Sequence, residues 1–158
     1  MSRRWLFREE AGFTIVELMI VVLVVGVLIA IGLPVFLGAK TRSQERAAQA
    51  QLRTALIGGL TYWSEGATFT GFDQGCSSAS DSCLVADSTE ASVAWVGPGL
   101  PGISQVSVVF AGGNSLLLVA PSGTGSYFCV AQSTGQTDRG RADTFSDLDS
   151  VTECAGGW

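Results

Sequence analysis

The chain has 158 residues, a net charge of −5 and no histidine; its length fits one domain with an appendage. Without an imidazole there is no Ser-His or Cys-His dyad and no histidine metal ligand, which removes much of enzymology. Seven of the nine basic residues lie in the first 53 positions, and from Thr54 onward ten acids face only Arg139 and Arg141, so sequence-specific binding of nucleic acid is not expected.

In chain order, a short charged leader ends at Gly12–Phe13, and residues 18–39 follow as 22 positions without a charge. As a helix they would span about 33 Å, close to a bilayer's hydrocarbon core. Three readings fit such a run: a cleaved secretory signal, a permanent anchor, or an anchor that later leaves the membrane. Ala30-Ile31-Gly32 offers small residues for ordinary signal cleavage, but Pro34 stands close behind and the helical pattern runs on through it, which disfavours the first reading. Basic residues flank the run on both sides (Arg3, Arg4 and Arg8 before it, Lys40, Arg42, Arg46 and Arg53 after it), so charge does not set its orientation. The four cysteines lie beyond it and place the head in an oxidising compartment.

The helical pattern continues past the apolar run. Ala48, Leu52, Leu56, Leu60 and Trp63 recur along one face, with Arg42, Glu45, Arg46, Gln49 and Arg53 on much of the remainder. A single helix from Phe13 to Trp63 would reach about 75 Å, with Gly26, Gly32 and Pro34 as its weak points. An anchor followed by an ordinary first helix fits the same pattern.

Glu17 interrupts the start of the apolar segment. A lone carboxylate there costs several kcal/mol if deeply placed and calls for a partner. Phe13 stands four residues earlier on the same helical face. A cut before Phe13 would create an amino group one turn from Glu17, and between staggered chains the ammonium of one would meet the carboxylate of the next. The stretch "REEAGFTIVELMIVVLVVGVLIAIGLP" resembles the class III signal of type IV prepilins and pseudopilins, with a further likeness running to about residue 73. The resemblance implies a leader over residues 1–12, removed by prepilin peptidase after Gly12, and N-methylation of the new terminus at Phe13. It assigns Glu17 to pairing with a neighbouring subunit, and Gly26, Gly32 and Pro34 to a region that unwinds in filaments. It further implies identical or related subunits as partners through their N-terminal helices, an inner-membrane assembly platform and a separate motor ATPase. The precursor would sit in the inner membrane as a single pass with its head outside, and the mature chain in a surface filament.

The expected organisation is then a hydrophobic helix over 13–39, its amphipathic half over 40–64, a disulfide-clipped loop over 65–90, an antiparallel sheet over 91–132 and a disulfide-bounded tail over 133–158. "ASVAWV", "ISQVSVVF", "SLLLVA" and "SYFCVAQ" read as short strands between Gly- and Pro-containing turns. The fold class is α+β, a long helix packed on an antiparallel sheet of about four strands. Four cysteines allow three connectivities. The shortest loops favour Cys76–Cys83 and Cys129–Cys154, with four free thiols as the alternative. Asp143, Asp147, Asp149 and Glu153 crowd the tail; calcium, with Asp147 and Asp149 as ligands, is weighed against a solvated acidic loop, and no other cofactor is expected. Trp158 would pack on the sheet or meet a neighbouring subunit.

These features lead to a non-enzymatic pilin subunit that polymerises into type IV pili, serving adhesion, twitching motility, DNA uptake or biofilm formation. A type II secretion pseudopilin is the alternative, and a membrane-anchored binding domain the third reading.

Overall fold

The computed structural model describes residues 12–158. Two units meet between Ala39 and Lys40, and helix α1, Ile15–Gly66, contributes to both. In the first unit α1 exposes large apolar side chains on every side, from Ile15 to Leu37. A helix that is hydrophobic all round belongs in lipid or inside an assembly. Among the described residues α1 is the helix long and apolar enough to cross a membrane. It continues through Gly26, Gly32 and Pro34. Proline has no N–H to donate, so the carbonyl of Ala30, four residues back, lacks its usual helical donor.

The second unit, Lys40–Trp158, joins the rest of α1 to a five-stranded sheet in the order β1-β2-β3-β4-β5. The strands are β1 Ala94–Val96, β2 Gln105–Gly112, β3 Ser115–Pro121, β4 Tyr127–Ser133 and β5 Gln136–Ala142. Strands β2 to β5 form an antiparallel meander joined by tight turns, as sequential strands with short links do. The sheet differs from a four-stranded antiparallel meander in two ways. First, β1 runs parallel to β2, with Trp95 opposite Val106. Residues 97–104, which carry Pro98 and Pro101 and a left-handed Ser104 (φ 64°), swing away and return the chain in the same direction. Second, β5 lies inside the segment read as a tail loop. A short helix α2, Leu84–Thr89, also forms within the loop before β1.

Alternation puts one face of each strand under α1. Ala48, Leu52, Ala55 and Leu56 of the helix pack there with Phe72, Trp95, Val106, Leu116, Leu118 and Phe128. Leu52, Leu116 and Leu118 are fully buried, and burial of each such side chain is worth about 1.5–3 kcal/mol. Helix and sheet approach closely: a Cβ on Gly59 would stand 2.5 Å from Leu116 Cδ2. The stripe read from the sequence turns outward at its end, where Leu60 and Trp63 are each 39% exposed. In β2 a bulge between Val108 and Phe110 shifts the register and leaves Phe110 exposed while Val109 packs on the other face.

That other face has its own core. Leu117, Val119, Cys129 and Ala131 pack against Leu148 and Cys154 of the tail, where residues Phe145–Leu148 form a 3-10 helix. The cysteines pair as Cys76–Cys83 and Cys129–Cys154. Beyond Cys154 the tail adds to the sheet edge: Gly156 bridges Gly140, and the Gly157 N–H donates to the Arg139 carbonyl at 2.8 Å. Trp158 packs rather than protrudes. Its indole N–H donates to the Cys129 carbonyl at 3.0 Å, its ring stands edge-on to Phe128, and Arg53 and Arg139 lie 5.3 and 5.4 Å from its centroid.

Replacing both Cys129 and Cys154 by Ala is therefore expected to destabilise the head by about 3.5 kcal/mol, the entropy of a loop spanning 25 residues. Urea unfolding monitored by tryptophan emission checks it, because release of the tail also frees Trp158.

Candidate processing and assembly site

The chemistry-bearing residues of the first unit cluster where α1 begins. Gly12, Phe13 and Thr14 lie outside the helix. Thr14 stands at the N-cap position: its Oγ1 accepts the Glu17 N–H at 3.2 Å, and its carbonyl accepts the Leu18 N–H at 3.2 Å. A threonine hydroxyl here satisfies a donor that the first turn leaves unpaired. The helix starts after this cap, which leaves Gly12 and Phe13 in non-helical, exposed backbone. Phe13 is 78% exposed, and a side chain built at Gly12 would meet nothing within 4 Å. Thr14 was missed in the sequence reading; its signal is Thr-x-x-Glu ahead of an apolar run.

Glu17 occupies the first turn of α1, where the partial positive charge of the helix terminus favours a carboxylate. Its neighbours along the helix, Ile15, Val16, Leu18, Met19 and Ile20, are apolar and exposed. Among the described residues the one ion pair is Arg141–Glu45 in the other unit, so nothing described supplies Glu17 with a counter-charge. Leader residues 1–11 lie outside the described residues.

In the second unit the tail acids do not assemble a metal cage. Glu153 Oε2 accepts the backbone N–H groups of Asp149 and Ser150 at 3.2 and 3.1 Å. The hydrogen bond between the Asp149 and Glu153 carboxyls, with their like charges side by side, pushes Asp149 up, while the same bond holds Glu153 down. Asp147 is exposed, and among the described residues no group of three acids or cysteines converges as metal ligands would. Asp147 and Asp149, the pair weighed from the sequence for calcium, are thus not joined by a third acidic side chain among the described residues. A groove of about 530 Å³ between the end of α1 and the β4–β5 turn is lined by Leu60, Trp63, Phe69, Asn114, Gln132, Thr134 and Gly135, none of them a group that titrates near neutral pH.

A family model described as "Prokaryotic N-terminal methylation motif" matches residues 7–33. No curated protein and no solved structure gives a significant match to the chain. The match spans the leader end, the Gly12–Phe13 junction, the Thr14 cap, Glu17 and the apolar helix to Leu33. This combination fits an inner-membrane-anchored precursor that is later assembled into a filament, and points to a structural protein. The chain carries the class III signal motif of type IV pilins and pseudopilins on a pilin-like α+β architecture.

Proposed function

We propose that the chain is a subunit of a type IV pilus: cleaved after Gly12 by prepilin peptidase, N-methylated at Phe13, and drawn from the inner membrane into a surface filament through its N-terminal helix. The observation that carries this reading is Glu17, a carboxylate without a described counter-charge at the head of an all-round apolar helix. A methylated ammonium on Phe13 of the next subunit supplies the missing charge. In the membrane a carboxylate near the interface is tolerable; in a water-excluded filament core it requires a partner. The pairing fixes the axial stagger, and the apolar surface of α1 becomes the filament core. The weakened hydrogen bonding around Pro34, with Gly26 and Gly32 nearby, gives the helix a place to extend as subunits are pulled into register. A membrane assembly platform and a separate motor ATPase drive the extraction.

The two disulfides favour a pilus over an envelope-confined pseudopilus, because covalent ties protect a small head outside the cell. The test is mechanical shearing of intact cells. The subunit is expected in the sheared filaments. Its retention wholly within the cell envelope would replace the pilus by a pseudopilus.

A further inference from the structure

The six cations of the second unit stand on two elements: Lys40, Arg42, Arg46 and Arg53 on α1, Arg139 and Arg141 on β5. Arg139 is in register with Val130 and Arg141 with Phe128. Both partners belong to the core beneath α1, so both arginines emerge on the helix side of the sheet. Contacts tie the elements together. Arg53 and Arg139 share the Trp158 ring, and Arg141 pairs with Glu45 at 3.4 Å. The result is a patch rich in guanidinium groups, with Arg53, Arg139 and Arg141 gathered where α1 meets β5 and Arg42 and Arg46 further along the same helix. Glu45 sits among these cations and is paired with Arg141, whereas other acids of β5 and the tail lie on the opposite face. Asp138 is opposite Ala131, a member of the far-face core, and the tail bearing Asp147, Asp149 and Glu153 packs on that face through Leu148 and Cys154.

The other edge of the sheet has the other sign. The loop before β1 is fastened there: the Gly97 N–H donates to the carbonyls of Ser78 and Asp81, both at 3.1 Å, and Trp95 Nε1 donates to the Glu90 carbonyl at 2.8 Å. This edge carries Asp73, Asp81 and Asp87, and no lysine or arginine occurs between Arg53 and Arg139. Asp73 and Asp87 have no side-chain partner among the described residues. The Ser77 and Ser78 hydroxyls bonded to Asp81 hold its carboxyl below the usual range, so it stays ionised.

We propose that a second copy of this chain docks edge to edge, the patch of Arg42, Arg46, Arg53 and Arg139 on one copy lying against the acidic loop of Asp73, Asp81 and Asp87 on the next. The inference rests on the filament reading and names the head contact within it. Opposite charges on opposite edges make a heterologous contact, the kind that builds an open helical filament when its rotation does not close a ring. Such complementarity selects partner and register. A nucleic acid fits less well, because the same unit carries eleven acids against six cations.

The test uses the full chain in its own cells, with R42E/R46E, D73K/D87K and the four-site combination. Each pair is expected to cut sheared subunit by at least about tenfold while leader removal and both disulfides persist, and the combination to restore it. Unchanged yield in either pair, or loss without rescue, overturns the proposal. So does an R42E/R46E chain that still forms filaments and has lost only retention of duplex DNA. Absence of the unaltered chain from the sheared fraction would instead sink the filament reading. Carbodiimide coupling of R46K in isolated membranes then decides: an intersubunit adduct between position 46 and Asp73, Asp81 or Asp87 upholds the docking, and its absence overturns it.

Discussion

Gly12→Trp is expected to leave the chain full-length in the membrane and to abolish filaments. The cause lies outside the fold. A side chain at Gly12 meets nothing within 4 Å in this chain, and position 12 precedes the cap that starts α1, so neither helix nor head is strained. What a large side chain blocks is the peptidase's approach to the backbone just before Phe13. Without the cut there is no amino group at Phe13 to methylate and none to meet Glu17. The charged leader also remains attached to a helix whose apolar flank must enter a filament core. Immunoblotting of membranes shows the unprocessed chain; electron microscopy of the cell surface shows whether filaments remain. Filaments built from uncleaved Gly12→Trp subunits would end the processing scheme.

Glu17→Ala separates insertion from assembly. The substitution removes a carboxylate whose cost in lipid reaches about 2.5–3.5 kcal/mol at the bilayer centre, so insertion and cleavage persist. The Thr14 cap is kept as well, because its hydroxyl receives the backbone N–H of residue 17 and not the side chain. In the filament the balance reverses. The ammonium on Phe13 of the neighbour would be enclosed in apolar surface without its counter-charge, and leaving one partner of a buried pair alone is strongly destabilising. Sheared subunit is expected to fall by at least about tenfold with normal amounts of mature chain in the membrane. Normal piliation by Glu17→Ala would refute the pairing.

Much of this was legible because the signals are local. Residues 18–39 read as a membrane-length helix, since nothing in them interrupts the apolar run, and the methylation motif combines leader, Gly12, Glu17 and that length in one stretch. The strands of the meander announced themselves through alternation and glycine-rich turns. Strand β5 did not, because "QTDRGRA" is an edge strand whose outward positions carry charge and whose core contribution is slight. The parallel pairing of β1 was hidden too: the Pro- and Gly-rich link looks like a hairpin turn, and the contacts that hold β1 in its direction, those of Gly97 with the preceding loop and with Ser107 and the pairing with β2, are tertiary. The outward turn of Leu60 and Trp63 escaped a periodicity argument because the sheet ends before the helix stripe does. For the tail acids, sequence spacing gave crowding but not direction. Glu153 is committed to the backbone of Asp149 and Ser150. The charge polarity of the head depends on which sheet face each residue of β5 occupies, and that requires the register.

The most direct test of the central claim is the intact mass of the protein sheared from the cell surface. The account predicts a chain beginning at Phe13, heavier by one methyl group, and lighter by four hydrogens for the bonds Cys76–Cys83 and Cys129–Cys154. A full-length, unmethylated chain found only in membranes would contradict it and make the apolar helix a permanent anchor.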